Sequence, residues 1–249
     1  MGNIQKDVFI CLDCETTGLE TETDQIIEVA AVRFTFEEIL DSYETLIDPQ
    51  VPINPASMEF HHISDDMVKG KPKIHQVLPE LIKFVGKQII VGHGITTDIA
   101  FLDTAAKKHS IPCPFSTQAY IDTLRLARLY GESPTNSLER LRQHFNIAEE
   151  GAHRAMSDVI VNIEVFKQLS RKFKTTEEIM NRLKSPILLR TMPLGKHKGR
   201  AFSDIPVEYL RWMVHQNFDQ DLLFSIKSEL KKRKQGAHFS QASNPFSEL

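Results

Sequence analysis

The stretch that decides the fold is Val8-Phe9-Ile10-Cys11-Leu12-Asp13-Cys14-Glu15-Thr16-Thr17-Gly18. Its apolar part, residues 8–12, predicts a buried strand that ends in acidic residues and a polar turn. Asp13 and Glu15 lie two apart, so both carboxylates project from the same face of the strand. Two like charges beside a buried strand are costly, and a bound cation would compensate them. A strand that simply runs into a polar turn is the alternative.

The segments that follow predict an α/β fold with a mixed sheet covered by helices. Further strands are predicted at 26–32, 39–47 and 88–91, with a proline-rich loop at 48–55. Apolar residues at helical spacing predict helices at 77–85, 98–109, 123–130, 137–144 and 154–169. Strands that come first and then alternate with helices are typical of this architecture.

Asp98 opens the predicted helix 98–109, whose apolar stripe comprises Phe101, Leu102, Ala105 and Ala106. This spacing turns the Asp98 carboxylate inward. We expect Thr96 or Thr97 to cap the helix, so that Asp98 is not needed for capping. A metal ion shared with Asp13 would offset the cost of burying its charge. Stabilisation of a first-turn aspartate by the helix dipole is the alternative.

His153 and Asp158 lie five residues apart, at the entrance to and in the first turns of the predicted helix 154–169. Asp158 borders the apolar face of this helix. His153 follows the loop segment Glu149-Glu-Gly-Ala, and an imidazole that titrates near neutrality can deprotonate water. A histidine at a helix entrance is otherwise a surface or capping residue.

Together, three segments resemble the DEDDh exonucleases of the ribonuclease H-like superfamily, which include the proofreading epsilon subunit of bacterial replicative DNA polymerase. Asp13-Cys-Glu-Thr-Thr-Gly resembles the first family motif, His93-Gly-Ile-Thr-Thr-Asp98 the second and His153-Arg-Ala-Met-Ser-Asp158 the third. A related class has Tyr four residues before the last Asp, where this chain has Arg154. The chain departs from the family pattern at Gly94, where Asn is common, at Thr97, where a large apolar residue is common, and at His62, where Gly is customary.

The resemblance implies a ribonuclease H-like mixed β-sheet flanked by helices and a two-metal hydrolysis of phosphodiesters. Asp13, Glu15, Asp98 and Asp158 would bind two Mg²⁺ or Mn²⁺ ions, and His153 would act as general base. By similarity, Thr16, Leu19 and His61 would contact the terminal nucleotide. The implied activity is 3′–5′ hydrolysis of DNA, at single-stranded or frayed 3′ ends, to nucleoside 5′-monophosphates in repair or proofreading.

Two other functions stay open at the level of sequence. The motifs act on phosphate and do not distinguish DNA from RNA, so a 3′–5′ exoribonuclease acting on RNA ends or oligoribonucleotides is the main alternative. A non-catalytic nucleic-acid-binding scaffold is the other. A degenerate scaffold would be expected to lose one of the acids or the histidine, and all five residues are present.

The charge distribution divides the chain. We predict an exonuclease domain at 1–172, a linker at 173–186, a small basic C-terminal α+β domain at 187–235 and a flexible tail at 236–249. Residues 187–235 contain ten Lys or Arg against five Asp or Glu, whereas the whole chain has a net charge of −3. The segment resembles a small domain attached to exonucleases such as exonuclease X. Its basic turn, 193–200, could contact phosphates, and Tyr209 and Trp212 could stack on bases or form a small core.

Location and partners follow from weaker signals. The sequence shows no signal peptide or membrane-spanning run, and its three cysteines are an odd number, so we expect a cytoplasmic protein without membrane association. Cys11 and Cys14, three apart on a strand, should face opposite sides as core residues. DNA is the expected partner, with a DNA polymerase or a sliding clamp as further candidates. The segment 220–224, Gln-Asp-Leu-Leu-Phe, faintly resembles a clamp-binding peptide, although its helical context favours a core role.

Overall fold

The computed structural model describes residues 3–130, 136–148 and 154–242, with side chains described to residue 235. Five strands form one sheet in the order β3-β2-β1-β4-β5. β1 pairs antiparallel with β2 and parallel with β4, and β5 continues the parallel part. The mixed sheet predicted from the sequence is therefore confirmed. The strands are β1 (Phe9–Thr16), β2 (Ile26–Phe34), β3 (Ile39–Leu46), β4 (Ile89–Gly92) and β5 (Tyr120–Asp122).

Helices cover both faces of the sheet. The described helices are α1 (Pro55–His61), α2 (Asp65–Val68), α3 (Ile74–Val85), α4 (Thr96–Lys108), α5 (Thr123–Tyr130), α6 (Leu138–His144), α7 (Ala155–Ser170), α8 (Thr176–Leu183), α9 (Val207–Val214) and α10 (Gln220–Ala242). Helices α1 and α2 and strand β5 were not predicted. α1 begins with Pro55 directly after Asn54, whose side chain accepts a hydrogen bond from the Ala56 amide, so a proline here starts a helix.

Alternation along β1 separates two cores, because successive side chains of a strand point to opposite faces. Phe9 and Cys11 pack into the core that contains α7, whereas Ile10 and Leu12 pack into the core that contains α3 and α4. Asp13 continues the α7 side of this alternation. As predicted, Cys11 and Cys14 contact opposite cores, and all three cysteines are unpaired.

The C-terminal segment has its own apolar cluster. Its buried members are Met192, Phe202, Ile205, Leu210, Met213, Leu222 and Ile226. Among the described residues of this segment, the β component is limited to a single bridge between Thr191 and Ala201. The segment was predicted to end at residue 235, whereas α10 continues to Ala242. Its domain boundaries stay a prediction. In the part of the chain that the structure describes, no helix is both long and apolar enough to cross a membrane.

Candidate active site

Three carboxylates meet where β1 ends. Asp13 and Glu15 lie near the C-terminal end of β1, and they pair with Ala30 and Glu28 of β2. Asp158 reaches them from the first turn of α7, which packs on that face. One carboxylate oxygen from each of Asp13, Glu15 and Asp158 lies within 4.8 Å of the other two. Residues 145 positions apart in the chain thus share one small volume, and their donor set suits a hard divalent cation.

Asp98 enters from the opposite face of the sheet. It lies in the first turn of α4, and its Oδ1 accepts a hydrogen bond of 3.0 Å from the backbone amide of Cys14, between the two acids of β1. The inward orientation predicted for Asp98 is therefore observed. The predicted cap is wrong, because Ile95 occupies the N-cap position without a side-chain hydrogen bond and Thr96 and Thr97 belong to the helix.

Burial and mutual repulsion raise the pKa values of these acids. Burial, followed by the negative charges of Asp98 and Glu15, raises the pKa of Asp13 well above its usual value. Burial and then the charge of Asp158 raise the pKa of Glu15 to about 8. Burial raises the pKa of Asp98 to about 7, although the Cys14 amide opposes this shift. Without a cation, the cluster therefore retains protons near neutral pH.

A buried ion pair fixes the start of α7. Arg154, the N-cap residue, donates from Nε to both carboxylate oxygens of Glu28, at 3.1 and 3.0 Å. Glu28 is fully buried and also accepts the amide of Ala155 at 3.1 Å. Since Glu28 lies opposite Glu15 on the neighbouring strand, the same contact sets the approach of Asp158 to the β1 acids. Sequence reasoning did not assign a role to Glu28.

Four other residues were predicted for the site, and the structure describes three of them. His153 lies outside the described residues, so its role as general base stays a prediction. Thr16 ends β1 and donates from its hydroxyl to the Gly18 carbonyl at 2.6 Å, and Leu19 is 88% exposed beyond it. His61 is 1% exposed, and its Nδ1 accepts the Ile63 amide at 3.0 Å. Its imidazole therefore carries its proton on Nε2. The contacts of Thr16, Leu19 and His61 with a nucleotide stay predictions.

Asp122, at the C-terminal end of β5, is a further buried acid that was not predicted from the sequence. It ends β5, is buried, and accepts the amides of Gly94 and Leu124, both at 2.9 Å. It thereby joins the turn before α4 to the first turn of α5. Gly94 has a φ of +73°, a conformation that glycine and asparagine tolerate best. Gly94 therefore preserves the backbone of a motif in which asparagine is common.

Two family models match the sequence. Residues 10–166 match the family described as "Exonuclease" (RNase_T), which includes every described residue of the acidic cluster. Residues 181–226 match the family described as "Putative quorum-sensing-regulated virulence factor". The first match covers the sheet, and the second covers most of the C-terminal segment.

Curated relatives and solved structures agree with the first match. The PolC-type DNA polymerase III of Caldanaerobacter subterraneus subsp. tengcongensis is 33% identical over 167 residues, which are 67% of this chain and 12% of that protein. The PolC-type polymerase of Clostridium perfringens is 34% identical over 175 residues, 70% of this chain and 12% of that protein. The chain thus matches about an eighth of the length of these relatives.

Two solved nucleases share the fold. The structure of exonuclease X in complex with 5′ overhanging duplex DNA has a TM-score of 0.57 and 24% identity, covering 71% of this chain and 99% of that chain. E. coli exonuclease I in complex with a dA16 oligonucleotide has a TM-score of 0.62 and 18% identity, covering 72% of this chain and 43% of that chain.

Proposed function

Because this chain belongs to the exonuclease family whose model matches residues 10–166, we propose that it is a metal-dependent 3′–5′ exonuclease that hydrolyses the terminal phosphodiester of DNA to nucleoside 5′-monophosphates. The observation that carries the proposal is the convergence of Asp13, Glu15 and Asp158 within 4.8 Å. Asp98, tied to the Cys14 amide, contributes a fourth charge from the other face.

The acids fit a pair of Mg²⁺ or Mn²⁺ ions by their chemistry, since both ions prefer oxygen ligands. Asp13, Glu15, Asp98 and Asp158 would hold them. When bound, such cations lower the pKa of water and stabilise the charge that develops on the phosphate oxygens. Metal binding would also displace the protons that Glu15 and Asp98 retain near neutral pH because their pKa values are raised.

The chain's own residues would do the remaining work. His153 would take the proton of the attacking water and so act as general base. Arg154 and Glu28 hold the first turn of α7 and thereby position Asp158 against β1. Thr16, exposed Leu19 and His61 would contact the terminal nucleotide, since Thr16 and Leu19 follow directly from the acids of β1.

DNA is favoured over RNA by the comparisons. The relatives named above are DNA polymerases, and the two solved structures named above contain DNA. Single-stranded or frayed 3′ ends are the proposed substrate, in proofreading or repair. An exoribonuclease is the second candidate, because the acids act on a phosphate that both polymers share.

Partners and location belong to the same proposal. A DNA polymerase is a candidate partner, since the relatives carry this segment within a polymerase. A sliding clamp is less well supported, because Asp221 and Leu222 of the clamp-like segment are fully buried within the C-terminal segment. We place the activity in the cytoplasm, where unpaired cysteines such as those of this chain are usual.

The test uses oligonucleotides labelled at the 5′ end. Matched DNA and RNA strands are incubated with the purified chain in EDTA, Mg²⁺ or Mn²⁺, with Asp13→Asn as the inactive control. A ladder that shortens from the 3′ end of DNA, only with metal, is expected. A ladder from RNA alone would replace the DNA assignment with the exoribonuclease, and no ladder from either would favour a binding scaffold.

A further inference from the structure

The C-terminal segment presents a basic hairpin beside an exposed tryptophan. Residues 191–201 double back on themselves, because the Met192 amide donates to the Arg200 carbonyl at 2.9 Å and the Gly199 amide donates to the Met192 carbonyl at 2.8 Å. Residues 194–199 form the tip of this hairpin, with exposed side chains at Lys196 and Lys198. Gly195 and Gly199 have φ values of +70° and +84°, which permit the tight turns.

A row of aromatic rings connects the tip to the surface of α9. His197 packs edge-on against Tyr209 with ring centroids 4.6 Å apart, and Tyr209 lies 5.5 Å from Trp212. Lys196 Nζ lies 5.0 Å from the centre of the Tyr209 ring. His197 is buried, whereas Trp212 is 53% exposed. The small-core role, one of the two considered for these aromatic residues, is therefore wrong for Trp212.

The charge around this surface favours a polyanion. Of the five acids between residues 187 and 235, Asp219 and Asp221 pair with Arg128 and Arg125, Glu229 pairs with Arg233, and Glu208 lies 3.7 Å from Arg211 on the helix that carries Trp212. These pairs neutralise much of the negative charge of the segment and leave lysines of the tip exposed. Arg200 also donates to His197 Nδ1 at 3.3 Å, which places a third cation at the base of the tip.

The C-terminal segment docks on helix α5 of the exonuclease-like part. Arg125 lies in the first turn of α5 and donates from Nε and Nη2 to the buried Asp221 at 2.9 and 3.0 Å. Helix α5 follows β5, and β5 lies two strands, or about 10 Å, from β1 in the sheet. The segment is thus fixed to the catalytic part by a buried ion pair.

We propose that Trp212, with Lys196 and Lys198, forms a binding surface for single-stranded DNA, on which one base stacks on the indole while the lysines contact the flanking phosphates. Aromatic stacking next to a basic groove is a common way to bind single strands without reading their sequence. This inference deepens the proposed exonuclease function, since a strand held here would be retained between successive cleavages.

The first test does not depend on catalysis. Trp212 is the only tryptophan in the chain, so fluorescence excited at a wavelength that tyrosine barely absorbs reports on this position alone. In EDTA, which prevents metal-dependent hydrolysis, titration with oligo(dT) is expected to quench this fluorescence. Polyphosphate, which carries the charge without bases, should not quench. An unchanged signal with oligo(dT), or equal quenching by polyphosphate, would overturn the proposal.

The second test measures the fluorescence anisotropy of a labelled oligo(dT). It separates the contribution of Trp212 to binding from that of the two lysines. Trp212→Ala should weaken binding about tenfold or more, with partial recovery in Trp212→Phe, because stacking needs a ring. Lys196→Ala/Lys198→Ala should weaken binding and reduce its salt dependence. The matched control is Lys83→Ala/Lys87→Ala, which removes the same charge from exposed positions near α3. Equal losses in both double variants would contradict a specific surface.

A third measurement keeps this proposal distinct from the exonuclease proposal. The wild-type chain is assayed with Mn²⁺ on p-nitrophenyl thymidine 5′-monophosphate, a single-nucleotide ester. Turnover supports the exonuclease function whether or not oligo(dT) quenches Trp212. If turnover is absent while quenching and the variant effects persist, the binding surface stands and the exonuclease function fails.

Discussion

Arg154 and Glu28, 126 residues apart in sequence, form a bidentate contact between the N-cap of α7 and the middle of the sheet. Glu28 is fully buried, whereas the Arg154 side chain is 36% exposed. Arg154 begins α7, which carries Asp158, so the pair ties the start of this helix to the strand opposite Glu15.

Removal of Arg154 should therefore cost both stability and activity. Arg154→Met leaves a buried carboxylate without its cation, which costs about 3 kcal/mol or more. We expect the double variant Arg154→Met/Glu28→Gln to recover much of the thermal stability but not the activity. Calorimetry and steady-state rates test this. Full activity in the double variant would show that the pair does not position α7.

The metal-free protein should lose stability as the pH rises. Glu15 and Asp98 have folded pKa values of about 8 and 7, above their ordinary values, so the native state binds more protons than the unfolded chain. Their stabilisation is thus present at low pH and is lost as the pH rises through the folded pKa values. In EDTA, Tm should fall between about pH 5 and 8, and Mg²⁺ should restore it at pH 8. A flat profile would contradict the mutual repulsion.

The repulsion among the clustered acids predicts that the loss of one charge, at Asp13, stabilises the metal-free protein. Asp13→Asn should abolish turnover while raising the Tm of the metal-free protein at pH 8, because it removes one of several adjoining charges. Each kcal/mol gained corresponds to roughly 2–4 °C for a chain of this size. Differential scanning fluorimetry in EDTA gives the shift. A large decrease in Tm would mean that Asp13 is held by favourable contacts instead.

Replacement of His153 should lower the rate of hydrolysis without changing the affinity for metal ions. His153→Ala is expected to slow hydrolysis by about 10²–10⁴-fold, the usual contribution of a positioned base. Binding of Mn²⁺ should stay close to that of the wild type. His215→Ala, at an exposed position, serves as the matched control. An unchanged rate in His153→Ala would point to a different proton acceptor.

The docking of the C-terminal segment should depend on Asp221. Burial opposes its ionisation, but hydrogen bonds from Arg125, the Ile187 amide and Arg128 lower the pKa of Asp221. Its stabilisation is present above the ordinary aspartate pKa and is lost as the pH falls through the lower folded value. Asp221→Asn should lower Tm by several degrees at pH 7, and the difference should narrow below about pH 4. Thermal denaturation at both pH values tests this.

The sequence predicted the parts of the fold that local patterns encode. A continuous apolar run predicted β1, and the two-residue spacing placed Asp13 and Glu15 on one face of it. Helical spacing turned Asp98 inward. The Arg154–Glu28 and Arg125–Asp221 contacts were not foreseen, because their partners are remote in sequence and each residue alone is typical of a surface. β5 has three residues, too few for a periodic signal, yet its Asp122 braces the turn before α4.

Metal binding tests the central claim most directly. Mn²⁺ is titrated by calorimetry into the EDTA-treated and desalted wild type, Asp158→Asn and Asp66→Asn, the last being an exposed acid of α2. We predict that Asp158→Asn weakens binding at least tenfold while Asp66→Asn matches the wild type. Wild-type affinity in Asp158→Asn would contradict a metal site shared between β1 and α7.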